Sequence, residues 1–320
     1  MEYTTFGRTG LRVSVAGLGC GGFSRLGMRT GRTEAESVAL VREAVDLGIN
    51  LLDTAANYGT EPIVGQAIAD MGRDSVVVAT KCGVKSSDGI ESPEDVVRSL
   101  EDSLKRLGTD YVDVFQLHGV AQADFPAALE QVVPLLERAR DAGKLRFLGI
   151  TEAASHDHNH DMLMEAVGSG AFDAVMVAFN MLHRTASDAL FARTQETGTG
   201  VFIMHAVRSI FARSDELAAN MRALADEGRV AAALANDPDP LGFLVHPGGA
   251  QDVTDAAYRF ARHEPGADVV LFGTGDPEHL RANVRSLLRP PLPDADRARL
   301  VELFGAVSGL GLEGAPPSRH

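Results

Sequence analysis

Three apolar runs in the first 120 residues each end in a side chain that can hold a proton. Ile49 to Leu52 runs into Asp53, Ser75 to Thr80 into Lys81, and Tyr111 to Leu117 into His118, while Tyr58 follows in the small-residue loop beyond Asp53. Tyr58 is one of only 4 tyrosines in the chain. A phenol has an ordinary pKa near ~10, so it becomes a useful acid at neutral pH only where a cation or hydrogen bonds stabilise its phenolate. Lys81 can supply that charge, and Asp53 can pair with Lys81 to keep it charged and oriented. His118 can hydrogen-bond a substrate oxygen or assist proton transfer. Such a set aims a proton at a developing alkoxide, which is what hydride addition to a carbonyl requires. Taken singly, Asp53, Lys81 or His118 reads as a cap or surface ion pair at a strand end; the coincidence of the four points to chemistry.

These residues need strands that end on one rim. Tyr3 to Phe6 and Leu11 to Val13 read as a hairpin around Gly7–Gly10, and Val15 to Gly19 as a short strand before a loop rich in glycine and basic residues that runs to Arg32. Thr33 and Glu36 form a capping box for a helix closed by Gly48, and the strand Ile49 to Leu52 follows. Alternation continues with helix 63–71, strand 75–81, a helix opened by Ser92-Pro93 and closed by Gly108, and strand 111–117. Helices 126–141, 158–168 and 187–197 then alternate with strands 145–150, 172–178 and 200–204. Residues 206–250 are less regular, helix 252–263 precedes strand 268–272, and Asp276-Pro277 opens a last helix through Leu288. Eight strand-to-helix units predict an α/β fold, a (β/α)8 TIM barrel with an N-terminal β-hairpin, whose active site lies at the C-terminal strand ends. With no linker, residues 1–320 read as a single domain, 306–320 being a frayed tail.

Composition sets the outer bounds. A hydrophobic fraction of 45% with 23% charged residues suits a globular protein with a large core. The net charge of -14 argues against a nucleic-acid partner. The 2 cysteines, Cys20 and Cys82, form neither a disulfide framework nor a metal spacing. Without a leader-like N-terminus or a long apolar stretch, the expectation is a cytoplasmic protein with no membrane partner. The oligomeric state is left open.

Gly48-Ile49-Asn50-Leu51-Leu52-Asp53-Thr54-Ala55-Ala56-Asn57-Tyr58-Gly59, Val78-Ala79-Thr80-Lys81 and Asp113-Val114-Phe115-Gln116-Leu117-His118 together resemble the aldo-keto reductase family. The resemblance extends from the hairpin to the helix ending near residue 288. It implies that Tyr58 is the general acid, that Lys81 and Asp53 tune it and that His118 orients the carbonyl. It implies further an NAD(P)H-dependent oxidoreductase reducing an aldehyde or ketone, or oxidising the alcohol, with the cofactor bound across the barrel mouth. Gly273-Thr274-Gly275-Asp276-Pro277-Glu278-His279-Leu280-Arg281-Ala282-Asn283 is similar to the family's last strand-to-helix segment. There a glycine-rich turn and free helix N–H groups face the cofactor phosphates, with His279 and Asn283 on the adenosine side. NADPH is the cofactor expected, with NADH admitted because Gly275 stands where many NADPH-using members carry an arginine. Thr151-Glu152 stands where the family often has Ser-Asn to hold the carboxamide, and Met176 replaces a glutamine with a similar task. Met204-His205 replaces a more usual aromatic or proline-containing segment, and His205 and Arg208 join the cofactor contacts.

Other features carry blander readings. Gly17-Leu18-Gly19-Cys20-Gly21-Gly22 fits G-x-G-x-x-G, but that fingerprint opens a helix at once and here a loop runs to Thr33, so a tight turn near the mouth is the reading, with Gly22 and Phe23 near the nicotinamide. His156-Asp157-His158-Asn159-His160 reads as a solvated helix start with Asp157 near the cap, not as a metal site. Cys82 reads as a packed cysteine beside Lys81. Arg25, Arg29, Arg32 and Arg208 hint at an anionic substrate or cofactor phosphates, against a reading as scattered surface charge. Two rival functions remain, a catalytically idle nicotinamide-binding regulatory protein and a redox-neutral isomerase or lyase on the same barrel.

Overall fold

A computed structural model describes residues 1–86, 89–90, 92–211 and 213–312. In chain order it holds β1 Tyr3–Phe6, β2 Leu11–Ser14, β3 Ala16–Gly19, α1 Glu34–Asp46, β4 Leu51–Asp53, α2 Glu61–Ile68, β5 Val77–Gly83, β6 Lys85–Ser86 and β7 Gly89–Ile90. There follow α3 Pro93–Leu107, β8 Val112–Val120, α4 Phe125–Ala127, a π-helical turn Ala128–Val132, α5 Val133–Asp141, β9 Leu145–Glu152, α6 Asp161–Ser169 and β10 Ala174–Ala178. The chain continues with α7 Leu190–Thr197, β11 Gly200–Met204, α8 Ser214–Asp226, α9 Val253–Arg262, β12 Val269–Phe272, α10 Pro277–Leu287 and α11 Asp294–Phe304.

Strands β3, β4, β5, β8, β9, β10, β11 and β12 pair in that order, all parallel, and β12 closes on β3. Each strand is apolar on both faces because one looks into the barrel and the other onto the helices, and alternation decides which side chain goes where. Val77, Ala79, Val114, Met176 and Phe202 pack in the interior, while Val78, Phe115, Val175 and Ile203 pack against the surrounding helices. Continuing that parity along β4, β5 and β8 puts Asp53, Lys81, Gln116 and His118 on the inner face at the C-terminal rim.

The N-terminal end is closed by the hairpin β1–β2. Phe6, Leu11 and Val13 are buried against Leu51, Val77, Ala174, Phe202 and Val269, most of them first residues of barrel strands. The rings of Phe6 and Phe202 lie 4.4 Å apart. A Cβ at Gly200 would meet the Phe6 ring at 2.8 Å, so the plug needs a glycine there. Asp113, part of the motif quoted above, belongs to this end: it accepts from Val78 N, Arg73 Nη2 and Arg146 Nη1 and serves stability.

Two helices were not legible. α8 forms inside the stretch read as irregular, and α11 follows the helix read as the last. Among the α11 residues only Asp296, Leu300 and Phe304 are buried; they lie four apart on one face, but one of the three is a carboxylate, so the apolar signal in the sequence is weak. Residues 306–312, read as part of a frayed tail, pack: Val307 and Leu312 are buried, and Leu312 lies with Ala154 and Ala178 at the mouth. Gly309 N donates to His183 Nδ1 (3.0 Å) and Arg229 Nη2 to Ser308 O (3.0 Å). The remainder of that tail, 313–320, lies outside the described residues. Among the described residues no helix is long and apolar enough to cross a membrane.

Candidate active site

The loop after β4 is fixed by its neighbour strand and by a turn. Thr54 N donates to Ala79 O (2.9 Å), Ala56 N to Lys81 O (2.9 Å) and Tyr58 N to Ala55 O (3.0 Å). Thr54 and Thr60 share a hydroxyl hydrogen bond (2.9 Å), and Glu61, at the start of α2, accepts from Thr80 Oγ1 and Arg106 Nε, each at 2.6 Å. Tyr58 therefore sits on a braced turn.

Lys81, 1% exposed, donates to both carboxylate oxygens of Asp53 at 2.6 Å and to Thr54 O at 3.0 Å, so all three ammonium protons have acceptors. Gln116 Nε2 also donates to Asp53 Oδ1 (3.3 Å). Burial pushes Asp53 up, and Lys81 and Gln116 pull it back. Burial alone would lower Lys81, but the facing Asp53 carboxylate and the Tyr58 phenol outweigh it and hold the ammonium charged. No hydrogen bond runs from Lys81 to Tyr58; the nitrogen lies 5.2 Å from the ring centroid, and the two groups interact through space.

Tyr58 Oη and His118 Nε2 are 3.4 Å apart, with the rings edge to face at 5.7 Å. Burial, then Lys81 and Arg25, push His118 down to about 3, so its imidazole is neutral at physiological pH. The four residues converge as the sequence implied. A phenol between a neutral imidazole and an ammonium ion can give a proton to an oxygen placed at Oη.

Beside Tyr58 a groove of about 650 Å³ is lined by Gly21, Gly22, Phe23, Ser24, Arg32, Gly273, Thr274, Gly275, Asp276 and His279, among others. Its size suits a cofactor. A Cβ at Gly21 would lie 2.3 Å from the Tyr58 ring, so a glycine is needed for this lining segment to pack against the tyrosine. Gly22, Phe23, Gly273, Thr274, Gly275 and His279 are thus brought together; Asn283 follows one turn on in α10 and is not among the lining residues.

Three expectations change. The first-turn N–H groups of α10 are not free: Asp276 Oδ1 accepts from Glu278 N (2.7 Å) and His279 N (3.2 Å), and Thr274 Oγ1 accepts from Asp276 N (3.0 Å). An anion there must use the glycine-rich turn or side chains. Glu152 does not share the interior with Thr151, because neighbouring strand residues face opposite sides. Its carboxylate accepts from Ala178 N (2.8 Å) and bonds His160 Nδ1 (2.7 Å), both inside the wall. Thr151 Oγ1 accepts from Gly119 N (2.7 Å). Nor is the segment 156–160 solvated throughout: His160 is fully buried, with Nε2 3.0 Å from Thr185 Oγ1, while Asp157 accepts from Asp161 N and Met162 N at the helix start. Met204 ends β11, His205 and Arg208 follow it, and none of the three lines the groove; His205 holds a φ of 64 and burial lowers it to about 3. Met176 is an interior side chain of β10 and Cys82 is buried.

Gln116 and Gly21 were missed as site residues. Gln116 is two residues before His118 and shares its face, a parity signal present in the sequence. What Gly21 must accommodate appears only once Tyr58 is placed.

Comparison with known proteins places these observations. Residues 17–304 match the model of the Aldo/keto reductase family. L-galactose dehydrogenase of Arabidopsis thaliana is 38% identical over 158 residues, 47% of this chain and 48% of that protein. The NADH-specific methylglyoxal reductase of Escherichia coli is 32% identical over 175 residues, 49% of this chain and 52% of that protein. The chain thus spans about half the length of the curated relatives it matches. The holo form of an aldo-keto reductase from Bacillus halodurans superposes with a TM-score of 0.73 at 22% identity, covering 98% of this chain and 100% of the other, a likeness of fold.

Proposed function

This chain belongs to the aldo/keto reductase family, and on that premise we propose that it is a nicotinamide-dependent oxidoreductase that reduces an aldehyde or ketone to the alcohol. The observation that carries the reading is the junction at Gly21, which lines a cofactor-sized groove and packs against the ring of a tyrosine flanked by Lys81 and His118. A reduced nicotinamide, when bound, supplies the hydride that the carbonyl carbon gains. Tyr58 gives its Oη proton to the carbonyl oxygen, and the Lys81–Asp53 pair stabilises the phenolate left behind. His118, neutral, holds the carbonyl oxygen by a hydrogen bond. Gly22, Phe23, Gly273, Thr274, Gly275 and His279 would line the bound dinucleotide.

The reading is tested by turnover of a panel of aldehydes and ketones with each reduced nicotinamide. No turnover with cofactor bound would favour the idle regulatory reading, and no response to either nicotinamide would favour an isomerase or lyase.

For the choice of nicotinamide, position 275 weighs most. A Cβ there would meet Gly27 Cα at 2.5 Å, so the arginine many relatives carry has no room. Arg32 and the carboxylates Glu36 and Asp276 also line the groove, so a 2′-phosphate gains little net charge complementarity. NADH and NADPH are expected to support kcat/KM values within about tenfold of one another. Gly275→Arg is expected to weaken binding of both nicotinamides without creating a preference for NADPH, as read by fluorescence titration.

The imidazole gives a pH test. His118 is lowered to about 3 in the folded state, so it stays neutral above that value and loses no proton between pH 5 and 8. The profile of kcat/KM across that range is expected to lack the inflection near ~6.5 that an ordinary histidine gives. An inflection there that disappears in His118→Gln would overturn this assignment.

A further inference from the structure

The loop between β3 and α1 presents a guanidinium to the reacting tyrosine. Arg25 Cζ lies 4.6 Å from the Tyr58 ring centroid, and its Nη1 donates to Asn57 O (3.0 Å). Its charge reaches His118, where it adds to the burial and Lys81 effects. Backbone strain sets this position. Arg25 and Leu26 take φ values of 48 and 58, a left-handed region costly for side chains of this size. The strain is held by Leu26, 1% exposed, whose carbonyl accepts from Ser37 Oγ (3.0 Å), and by Ser24 O, which accepts from Gly27 N and Arg29 N. The turn is thus locked onto α1 with Arg25 facing Tyr58.

This cation is short of a counter-ion. Among the described residues no carboxylate lies within ion-pair distance of Arg25, and its Nε is covered and has no hydrogen-bond partner. That is unexpected in a chain of net charge -14, where carboxylates are plentiful. The groove assigned to the dinucleotide is lined by Phe23, Ser24 and Arg32 from the same loop but not by Arg25. Arg25 lies instead over the Tyr58 ring, so an anion taking its remaining Nη protons is held beside the tyrosine and not in the groove.

We propose that Arg25 anchors the charged end of the substrate, and that the substrate class is a carbonyl compound carrying a carboxylate a few atoms from the carbonyl carbon. This rests on the carbonyl-reductase reading above and names the class of substrate for that same site. A guanidinium suits the task because its planar fork matches a carboxylate and its charge persists at every physiological pH. With the phenol and the fork on one tyrosine, the carbonyl oxygen and the carboxylate are held at once, which fixes the face presented for hydride addition.

The test compares 4-oxobutanoate with butanal as substrates of wild type, Arg25→Gln and Arg25→Lys, with cofactor saturating and its KM measured for each protein. Wild type is expected to favour 4-oxobutanoate. In Arg25→Gln the ratio of kcat/KM for 4-oxobutanoate over butanal should fall roughly 30-fold, the scale of one charge-assisted hydrogen bond. Arg25→Lys should keep part of the ratio, since the charge survives and the fork does not. Equal losses on both substrates would overturn the proposal, because Arg25 would then act on Tyr58. A loss that appears as a raised KM for the nicotinamide would overturn it by assigning the anion to cofactor phosphate. A wild type that reduces butanal without favouring 4-oxobutanoate, or that reduces neither while turning over other carbonyls of the panel, sinks this inference and leaves the carbonyl-reductase reading standing; a wild type inert to the whole panel sinks both.

Discussion

Tyr58→Phe is expected to lower kcat for carbonyl reduction by roughly a thousandfold, within the range that a positioned general acid supplies. The substitution removes one oxygen and keeps the ring, so the close approach to Gly21 and the stacking under Arg25 persist. Nicotinamide binding should therefore stay within about twofold of wild type, a few tenths of a kcal/mol. Lys81 cannot substitute as the acid, since its protons point at Asp53 and Thr54. Nor can His118, which holds no second proton above about pH 3. Steady-state turnover together with fluorescence titration of the cofactor gives both quantities, and a variant that keeps more than a tenth of the activity would remove Tyr58 from its assigned role.

The second large effect is on stability. Asp53→Ala leaves the Lys81 ammonium buried with only Thr54 O to accept from it, and breaking a buried pair from one side costs about 3–5 kcal/mol. For a domain of this size that corresponds to a fall in Tm of roughly 10 °C. The double variant Asp53→Ala with Lys81→Met removes the orphaned charge, and more than half of the lost stability should return while turnover stays low. Thermal unfolding of both variants beside wild type measures this. If the double variant is no more stable than Asp53→Ala, the cost lies in packing around position 53 and not in the unpaired charge.

Strand ends made the site legible. Asp53, Lys81 and His118 each stand where an apolar run stops, and a parallel barrel brings such stops to one rim. The same logic, applied one residue further, would have separated Thr151 from Glu152, because adjacent side chains on a strand cannot both look inward. The partner of Glu152 was beyond reach: His160 meets it only after the chain takes a φ of 61, a conformation no local pattern announces. At α10 the sequence showed Asp276 before Pro277 but not whether its carboxylate would face a ligand or cap its own helix; it caps. α11 escaped notice because its buried face holds only three residues, one of them Asp296, so little apolar pattern marks it in the sequence.

The plug at the base of the barrel bears on how the chain is made. Phe6, near the N-terminus, needs the ring of Phe202, and Arg8 needs Asp173. During synthesis both partners are still untranslated when the hairpin leaves the ribosome, so the Phe6 ring stays without its pocket until β11 has been made. Chaperone dependence in a translation reaction should therefore be greatest for nascent chains stalled before β11 and fall once β11 has emerged.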